Sequence, residues 1–293
     1  MTSGAKDQAM SGSSDERSST PEQGQEESTG KSADRIQVIG ASVRGPGHDE
    51  PGGENEDAYE TRWLADDTCI IAVADGLGSA PAGGRGARIT TEAATEAAAN
   101  ELENISSFGS ETDKRLETRM TEVVEAAIRK AREAVEEEAE NKEIPVGDLA
   151  STLLVVLLAD GHLTAGHIGD GAVIAQIDEK LHFVSRPGET EYVNQVVPLT
   201  SANWEESVRV NQDEIPDAVA VFTDGLRRAG LKQTQDGDEP FPGFFDPVFS
   251  YIKSAEDSSR ARSDLEELLR SEKLSEHSSD DKTLVMGFRN EDE

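Results

Sequence analysis

Two Asp-Gly pairs, each at the end of a short apolar run, are the residues of this chain best suited to chemistry. Asp75-Gly76 closes one such run and Asp224-Gly225 closes another. A short run rich in β-branched residues predicts a buried strand, and glycine leaves its backbone carbonyl accessible. Each strand end therefore offers carboxylate and carbonyl oxygens, the ligands that hard divalent cations prefer. Because a single Asp-Gly pair is also typical of an ordinary turn, the inference depends on repetition.

Further acidic residues occupy similar positions elsewhere in the chain. Glu56-Asp57 opens an alternating run, Asp170 lies between two apolar segments, and Asp280-Asp281 precedes the last apolar run. Carboxylates gathered at one edge of a β-core repel one another and raise each other's pKa values unless cations compensate. The sequence therefore predicts a site for divalent cations at that edge.

The composition excludes several classes of partner. Sixty acidic residues against 28 basic ones give a net charge of −32, which opposes binding to nucleic acid phosphates or to an anionic membrane. Without a membrane-spanning run or an apolar signal core, we expect a cytoplasmic protein. Acids spread along the whole chain are typical of halophilic proteins, although an acidic protein from an ordinary habitat is the alternative. The single cysteine, Cys69, excludes a disulfide framework within the chain.

Residues 1–34 are rich in Ser, Gly, Glu and Gln and are predicted to form a disordered tail, whereas residues 35–290 are predicted to form one domain. Tight turns between strands favour antiparallel pairing, and helices grouped in pairs favour a layered α+β fold. The predicted elements are, in order, a strand at 36–43, a hairpin at 58–74, helices at 85–103 and 112–139, strands within 150–177, a surface flap at 186–212, a strand from 218 that ends at Asp224-Gly225, a loop at 233–245, helices at 247–254 and 259–271, and a strand at 284–288.

The order of these motifs resembles that of the PPM (PP2C) family of metal-dependent serine/threonine protein phosphatases, over residues 36–288. The motifs that carry the resemblance are Asn55-Glu56-Asp57, Asp75-Gly76-Leu77-Gly78, Ser151-Thr152, Gly169-Asp170-Gly171, Thr223-Asp224-Gly225 and Asp280-Asp281-Lys282-Thr283. The opening Ser42-Val43-Arg44-Gly45-Pro46-Gly47-His48 is similar to that of the bacterial-type branch. The resemblance implies a four-layer αββα sandwich in which two antiparallel β-sheets are flanked by helix pairs.

The resemblance also implies a binuclear Mn²⁺ or Mg²⁺ site, with a third ion possible, in which a metal-activated water hydrolyses phosphoserine and phosphothreonine. It assigns metal binding to Asp57, Asp75, the Gly76 carbonyl, Asp224 and Asp280, a third ion to Asp170, and the orientation of a metal-bound water to Glu56. Asp281 is expected to support the site without binding metal. The implied partners are proteins phosphorylated on Ser or Thr and a cognate Ser/Thr kinase.

Three departures from the family pattern affect the assignment of roles. Leu77 stands where many members have the histidine proposed as general acid, so His48 is expected to serve instead; its alternative role is to stabilise its loop. An arginine that binds phosphate in some relatives is replaced near Gly52, and Arg44 is expected to make that contact unless it is only a solvated loop residue. Gly171 replaces a serine, which the turn should tolerate.

Three other functions compete with this interpretation. A catalytically silent PP2C-like regulator would bind phosphoproteins without hydrolysing them, but it would not need every metal carboxylate. A Ca²⁺-binding or structural acidic protein is the second alternative, and the chain lacks EF-hand ligand spacing. A phosphatase for small phosphate esters is the third.

Overall fold

The structure, a computed structural model, describes residues 36–48, 53–65, 67–104, 113–188, 196–235 and 237–289. The predicted tail, residues 1–34, lies outside these residues, so the domain boundaries stay a prediction. The strands and helices are β1 (Ile36–Val43), β2 (Asp57–Ala65), β3 (Thr68–Asp75), α1 (Gly83–Glu103), α2 (Asp113–Lys142), β4 (Leu153–Ala159), β5 (His162–Ile168), β6 (Ala172–Ile177), β7 (Lys180–Ser185), α3 (Trp204–Ser207), β8 (Arg209–Glu214), β9 (Ala218–Phe222), α4 (Arg227–Gly230), β10 (Leu231–Thr234), β11 (Gly237–Pro240), α5 (Pro242–Lys253), α6 (Ser258–Leu269), α7 (Glu272–Ser275) and β12 (Lys282–Arg289).

The strands form two five-stranded antiparallel sheets and a separate two-stranded ribbon. The first sheet has the order β1-β12-β9-β6-β7, the second has the order β2-β3-β4-β5-β8, and β10 pairs with β11 in the ribbon. Alternate residues of a strand face opposite sides of a sheet. Ile71 and Val73 of β3 accordingly pack between the two sheets with Val221 and Val285. This apolar layer joins the sheets face to face.

Helices cover the outer face of each sheet. Ile70 of β3 packs with Ala94 of α1 and Ile128 of α2 in one cluster, so this helix pair lies on the second sheet. On the other side, Phe222 of β9 packs with Phe245 of α5, their ring centroids 5.6 Å apart, and α6 joins the same cluster. The predicted four-layer αββα sandwich is confirmed. None of the helices in the described ranges is both long and apolar enough to span a bilayer.

Some elements differ from the sequence prediction. The end of the predicted flap, residues 209–212, belongs to β8, an edge strand whose sequence RVNQDE is polar because it faces solvent on its outer side. Part of the predicted loop at 233–245 forms the β10–β11 ribbon. Helix α5 begins at Pro242 rather than at Pro247, because proline is tolerated in the first turn and the buried Phe245 anchors that turn.

Candidate metal centre

The sheet register brings the predicted acids to one end of the sandwich. Asp57 at the start of β2 pairs with Asp75 at the end of β3. Asp224 follows β9 in a single 3-10 turn, and Asp280 precedes β12, the strand that pairs with β9. Asp170 lies in the turn between β5 and β6. These acids are distant in sequence, but they meet because the strands that carry them end at the same end of the sandwich.

Three of these acids form a compact cluster that we call the carboxylate centre: Asp75, Asp170 and Asp224. One carboxylate oxygen from each lies within 4.8 Å of the others, and all three residues are half-buried. Burial and mutual repulsion both oppose such an arrangement unless protons or cations compensate. The carboxylate centre is therefore suited to a positively charged ligand.

Asp57 lies deeper, beside the carboxylate centre. Its side chain is buried, and its Oδ2 accepts hydrogen bonds of 2.8 Å from the hydroxyls of both Thr223 and Thr283. The Thr283 hydroxyl is also 2.7 Å from that of Ser42 in β1. The two threonine hydroxyls fix the orientation of the Asp57 carboxylate. The network connects the second sheet to β1, to β12 and to the residue that follows β9.

Burial and the neighbouring negative charges raise the pKa values of these acids. Burial raises the pKa of Asp75 well above its usual value, and the charges of Asp57, Asp224, Asp170 and Asp280 raise it further. Burial, followed by the charges of Asp170 and Asp280, raises the pKa of Asp224 to about 6. Burial raises the pKa of Asp57 to about 8, although the two threonine hydroxyls oppose the shift. These carboxyl groups therefore hold their protons more tightly than free aspartates do, and a cation bound there has to displace those protons.

The donor set fits a hard divalent cation. Oδ1 of Asp224 is buried and has no hydrogen-bond partner among the described residues, and a buried polar atom is seldom left without one. The neighbouring ligand atoms are carboxylate oxygens, which Mg²⁺ and Mn²⁺ prefer. Asp75, Asp170 and Asp224 could together hold such an ion.

Gly76, whose carbonyl is a predicted ligand, lies where no other residue fits. Its N–H donates to the carbonyl of Glu56 at 3.1 Å. A Cβ at this position would lie 2.3 Å from the carbonyl carbon of Gly83, which leaves no room for a side chain. The glycine therefore lets the start of α1 approach the end of β3.

The other predicted residues lie around the centre at varying depth. Asp280 is exposed, and its charge raises the pKa values of Asp75, Asp170 and Asp224. Glu56 is half-buried on the segment before β2. Arg44 is exposed and donates to the carbonyl of Gly53 at 2.6 Å, within its own loop. His48 lies in a short 3-10 turn, and its side chain lies outside the described part of the structure.

Two neighbouring residues organise the site: Asp281, the residue expected to support it without binding metal, and Lys282, for which the sequence predicts no role. Asp281 is buried, and its two oxygens accept hydrogen bonds from the N–H groups of Gly45 and Glu56 at 2.7 and 2.6 Å. It thereby joins the loop that carries Arg44 to the segment that carries Asp57. Lys282 is fully buried and donates to the carbonyl of Asp280 at 2.7 Å. A lysine opening an apolar run was the available signal for that residue.

Metal binding is expected to strengthen as pH rises. With pKa values of about 6 for Asp224 and about 8 for Asp57, the Asp224 carboxyl loses its proton around pH 6 and the Asp57 carboxyl around pH 8. Because a bound cation must displace those protons, Mn²⁺ affinity should rise by up to about tenfold per pH unit for each proton released. Calorimetric titrations in buffers of different ionisation enthalpy measure both the affinity and the protons released. An affinity that stays constant from pH 6 to 8 would contradict this assignment.

Comparison with known proteins assigns the class of this fold and site. A sequence profile described as protein phosphatase 2C matches residues 44–270. The chain belongs to the protein phosphatase 2C family. The match confirms the predicted family and, with it, the predicted function of a metal-dependent protein serine/threonine phosphatase; it does not favour the silent regulator.

Individual relatives agree with this family. The chain is 28% identical to serine/threonine-protein phosphatase 3 of Escherichia coli K12 over 258 residues, 86% of this chain and 97% of the relative. The catalytic domain of the phosphatase PstP, solved with two manganese ions, superposes with a TM-score of 0.53 at 17% identity, over 87% of this chain and 98% of that one. A serine-threonine phosphatase 2C from Toxoplasma gondii gives a TM-score of 0.60 at 14% identity, over 87% and 95%. These structures share the fold of this chain.

Proposed function

We propose that this protein hydrolyses phosphoserine and phosphothreonine esters of phosphorylated proteins, using Mn²⁺ or Mg²⁺ held at the carboxylate centre. The observation that carries the proposal is the convergence of Asp75, Asp170 and Asp224 where the strands end. One buried oxygen of Asp224 has no hydrogen-bond partner among the residues that the structure describes. The relatives named above support the choice of reaction, because they are serine/threonine phosphatases and one of them contains manganese.

In this proposal, Asp75 and Asp224 bind the metal ions together with Asp57, Asp280 and the carbonyl of Gly76, and Asp170 serves a third ion. Bound ions supply the Lewis acidity and positive charge that phosphate ester hydrolysis requires. The chain's own part is positioning: the hydroxyls of Thr223 and Thr283 hold the Asp57 carboxylate in one orientation.

We assign the remaining roles from the loops at the rim of the site. Glu56 would orient a water from its segment before β2, and Arg44 would contact the phosphoryl group from the neighbouring loop. Asp281 holds these two segments together through the N–H groups of Gly45 and Glu56, which supports a shared task. His48, in the same loop as Arg44, is the proposed general acid for the leaving alkoxide.

The biological setting follows from the proposed reaction. Phosphoproteins are the substrates and a cognate Ser/Thr kinase is the opposing enzyme in this proposal, with the cytoplasm as its location. The strongly acidic composition, −32 overall, makes metal ions necessary for the approach of a dianionic phosphate, because bare carboxylates repel it.

Hydrolysis of a phosphothreonine peptide tests the proposal. Turnover is expected with Mn²⁺ or Mg²⁺ and should fall to the background rate in excess EDTA, because without cations the carboxylates repel the phosphate. Released phosphate is measured at low and high salt, and restored Mn²⁺ should restore turnover. A folded protein that binds the peptide but releases no phosphate under any condition would instead indicate the silent phosphoprotein-binding regulator.

A further inference from the structure

Two arginines converge on one aspartate beside the carboxylate centre. Arg227 donates from Nε and Nη2 to Oδ2 of Asp238, at 3.2 and 2.9 Å. Arg186 donates from Nη1 to the backbone carbonyl of the same residue at 2.8 Å. Two guanidinium groups therefore contact one aspartate, in a protein whose net charge is −32.

Arg227 lies on the segment that carries Asp224, and the segment that carries Arg186 is hydrogen-bonded to the turn that carries Asp170. Arg227 follows Asp224 by three residues and opens α4. Burial raises the pKa of Asp170, and the positive charge of Arg227 opposes that rise, which places the guanidinium near the centre. Arg186 follows β7, and two residues further on the N–H of Gly188 donates to the carbonyl of Gly169 at 3.2 Å, next to Asp170.

The side chains of Arg186 and Arg227 are accessible to solvent, and that of Arg186 is also restricted in its orientation. The Arg227 side chain is 41% exposed, and that of Asp238 is 25% exposed. The Arg186 guanidinium carbon lies 4.4 Å above the Phe183 ring centroid, and this stacking limits its orientations. Arginine pairs of this kind recognise carboxylates and phosphates by charge-assisted hydrogen bonds.

Asp238 occupies the position of such an anion. It lies on the β10–β11 ribbon, whose two strands pair with each other and belong to neither five-stranded sheet. Its carboxylate engages Arg227 through a single oxygen, a weaker arrangement than a two-oxygen, bidentate pair. An external anion with two or three oxygens can therefore compete for the guanidinium.

We propose that Arg186 and Arg227 form a subsite for an acidic or phosphorylated residue that flanks the phosphoresidue of the substrate, with Asp238 as its internal competitor. The inference rests on the proposed function and narrows its substrate class to phosphopeptides with acidic flanks. The charge of Arg227 acts on both Asp170 and Asp224, and Gly188, two residues after Arg186, hydrogen-bonds to Gly169, so one extended peptide would reach both the subsite and the centre. Such a subsite discriminates between substrates by the difference in their binding free energies.

Two matched phosphothreonine peptides test the subsite, one with glutamates and one with alanines at the second and third positions on either side. The wild-type protein with saturating Mn²⁺ should favour the acidic peptide in kcat/KM by about fivefold to tenfold, as expected for one or two partly exposed charge pairs. Arg227→Gln and Arg186→Gln should each reduce that ratio towards one. Because the readout is a ratio, a change in metal affinity affects both peptides and cancels.

Asp238→Asn should change the ratio in the opposite direction, since it weakens the competitor but retains the backbone carbonyl that holds Arg186. If the contact between Asp238 and the arginines were only structural, the Asp238 and arginine variants would change the kcat/KM ratio in the same direction. Arg228→Gln is the matched control, because Arg228 is an exposed neighbour that donates to the carbonyl of His277; its ratio should equal that of the wild type.

Dissociation constants of the same two peptides, carrying a hydrolysis-resistant phosphonate in place of the phosphate, separate this proposal from the proposed function. If the wild type turns over neither peptide, the proposed function fails, but a preference for the acidic phosphonate would still support the subsite. Equal affinity for both phosphonates would overturn the subsite. An equal loss for both peptides in Arg227→Gln would overturn it too, and would indicate contact with the transferred phosphoryl group.

Discussion

Asp224→Asn is expected to reduce Mn²⁺-dependent turnover of a phosphothreonine peptide by about a thousandfold, and Asp75→Asn by a similar factor. Each change replaces a charged carboxylate oxygen of the carboxylate centre with a neutral amide that binds a hard cation less tightly. Bound cations stabilise the negative charge that the phosphoryl group carries in the transition state. The loss should therefore appear chiefly in kcat. Steady-state kinetics across Mn²⁺ concentrations measure it.

The fold of these variants should remain intact, and in EDTA each variant should be more stable than the wild-type protein. The Asp224 carboxyl has a pKa of about 6 in the folded protein against an ordinary 3.8. An acid whose folded pKa is raised favours folding below pH 3.8 and loses that contribution as pH rises through 6. Asparagine never ionises, so at pH 8 in EDTA the variant should have the higher Tm.

Asp246→Asn is the matched control for these substitutions. Asp246 is an exposed acid on α5, outside the carboxylate centre, so the same chemical change there should leave turnover and its metal dependence within about twofold of wild type. Wild-type turnover in both Asp75→Asn and Asp224→Asn would contradict the metal assignment. A lower Tm in EDTA would contradict the electrostatic account of these acids.

Gly225→Ala is expected to lower the free energy of unfolding by about 2–3 kcal/mol, roughly 5–10 °C in Tm. A Cβ on Gly225 would lie 1.8 Å from the carbonyl oxygen of Asp281, far inside van der Waals contact. The backbone must therefore separate there, which moves Asp224 away from the strand that follows Asp280. A displacement of about 1 Å at such a site costs about a hundredfold in turnover.

Gly147→Ala separates this steric effect from a general effect of replacing glycine. A Cβ on Gly147 would meet nothing within 4 Å, so the substitution should change the free energy of unfolding by less than about 1 kcal/mol. Thermal unfolding followed by circular dichroism, with turnover measured on the same samples, compares the two variants. Equal stability of Gly225→Ala and wild type would show that the turn after β9 tolerates a side chain.

The acids of the carboxylate centre could be predicted because the pattern that marks them lies within a few neighbouring residues of the sequence. Asp75 and Asp224 each follow a run of buried apolar residues, and strand ends in a layered β-fold meet at sheet edges. The two outer helix pairs were equally accessible from the 3.6-residue spacing of apolar positions such as Val124 and Ile128. Family resemblance then gave the order of the layers.

What could not be predicted depends on contacts between distant strands. Thr223 and Thr283 carry no sign in the sequence that their hydroxyls both bind Asp57, because that contact exists only after the sheets pack. The polar strands β8 and β11 lack apolar alternation, since they lie at an edge or in a ribbon. The pairing of Arg227 with Asp238 likewise depends on where that ribbon folds back.

The hydroxyl network around Asp57 has a consequence for how the protein matures. Asp57 belongs to the second sheet, whereas Ser42, Thr223 and Thr283 belong to the first or to its strand ends. The Asp57 carboxylate therefore reaches this orientation only after both halves of the sandwich have docked. Under the proposed assignment, in which Asp57 binds metal, a newly made chain that has folded only one sheet would lack a complete metal site.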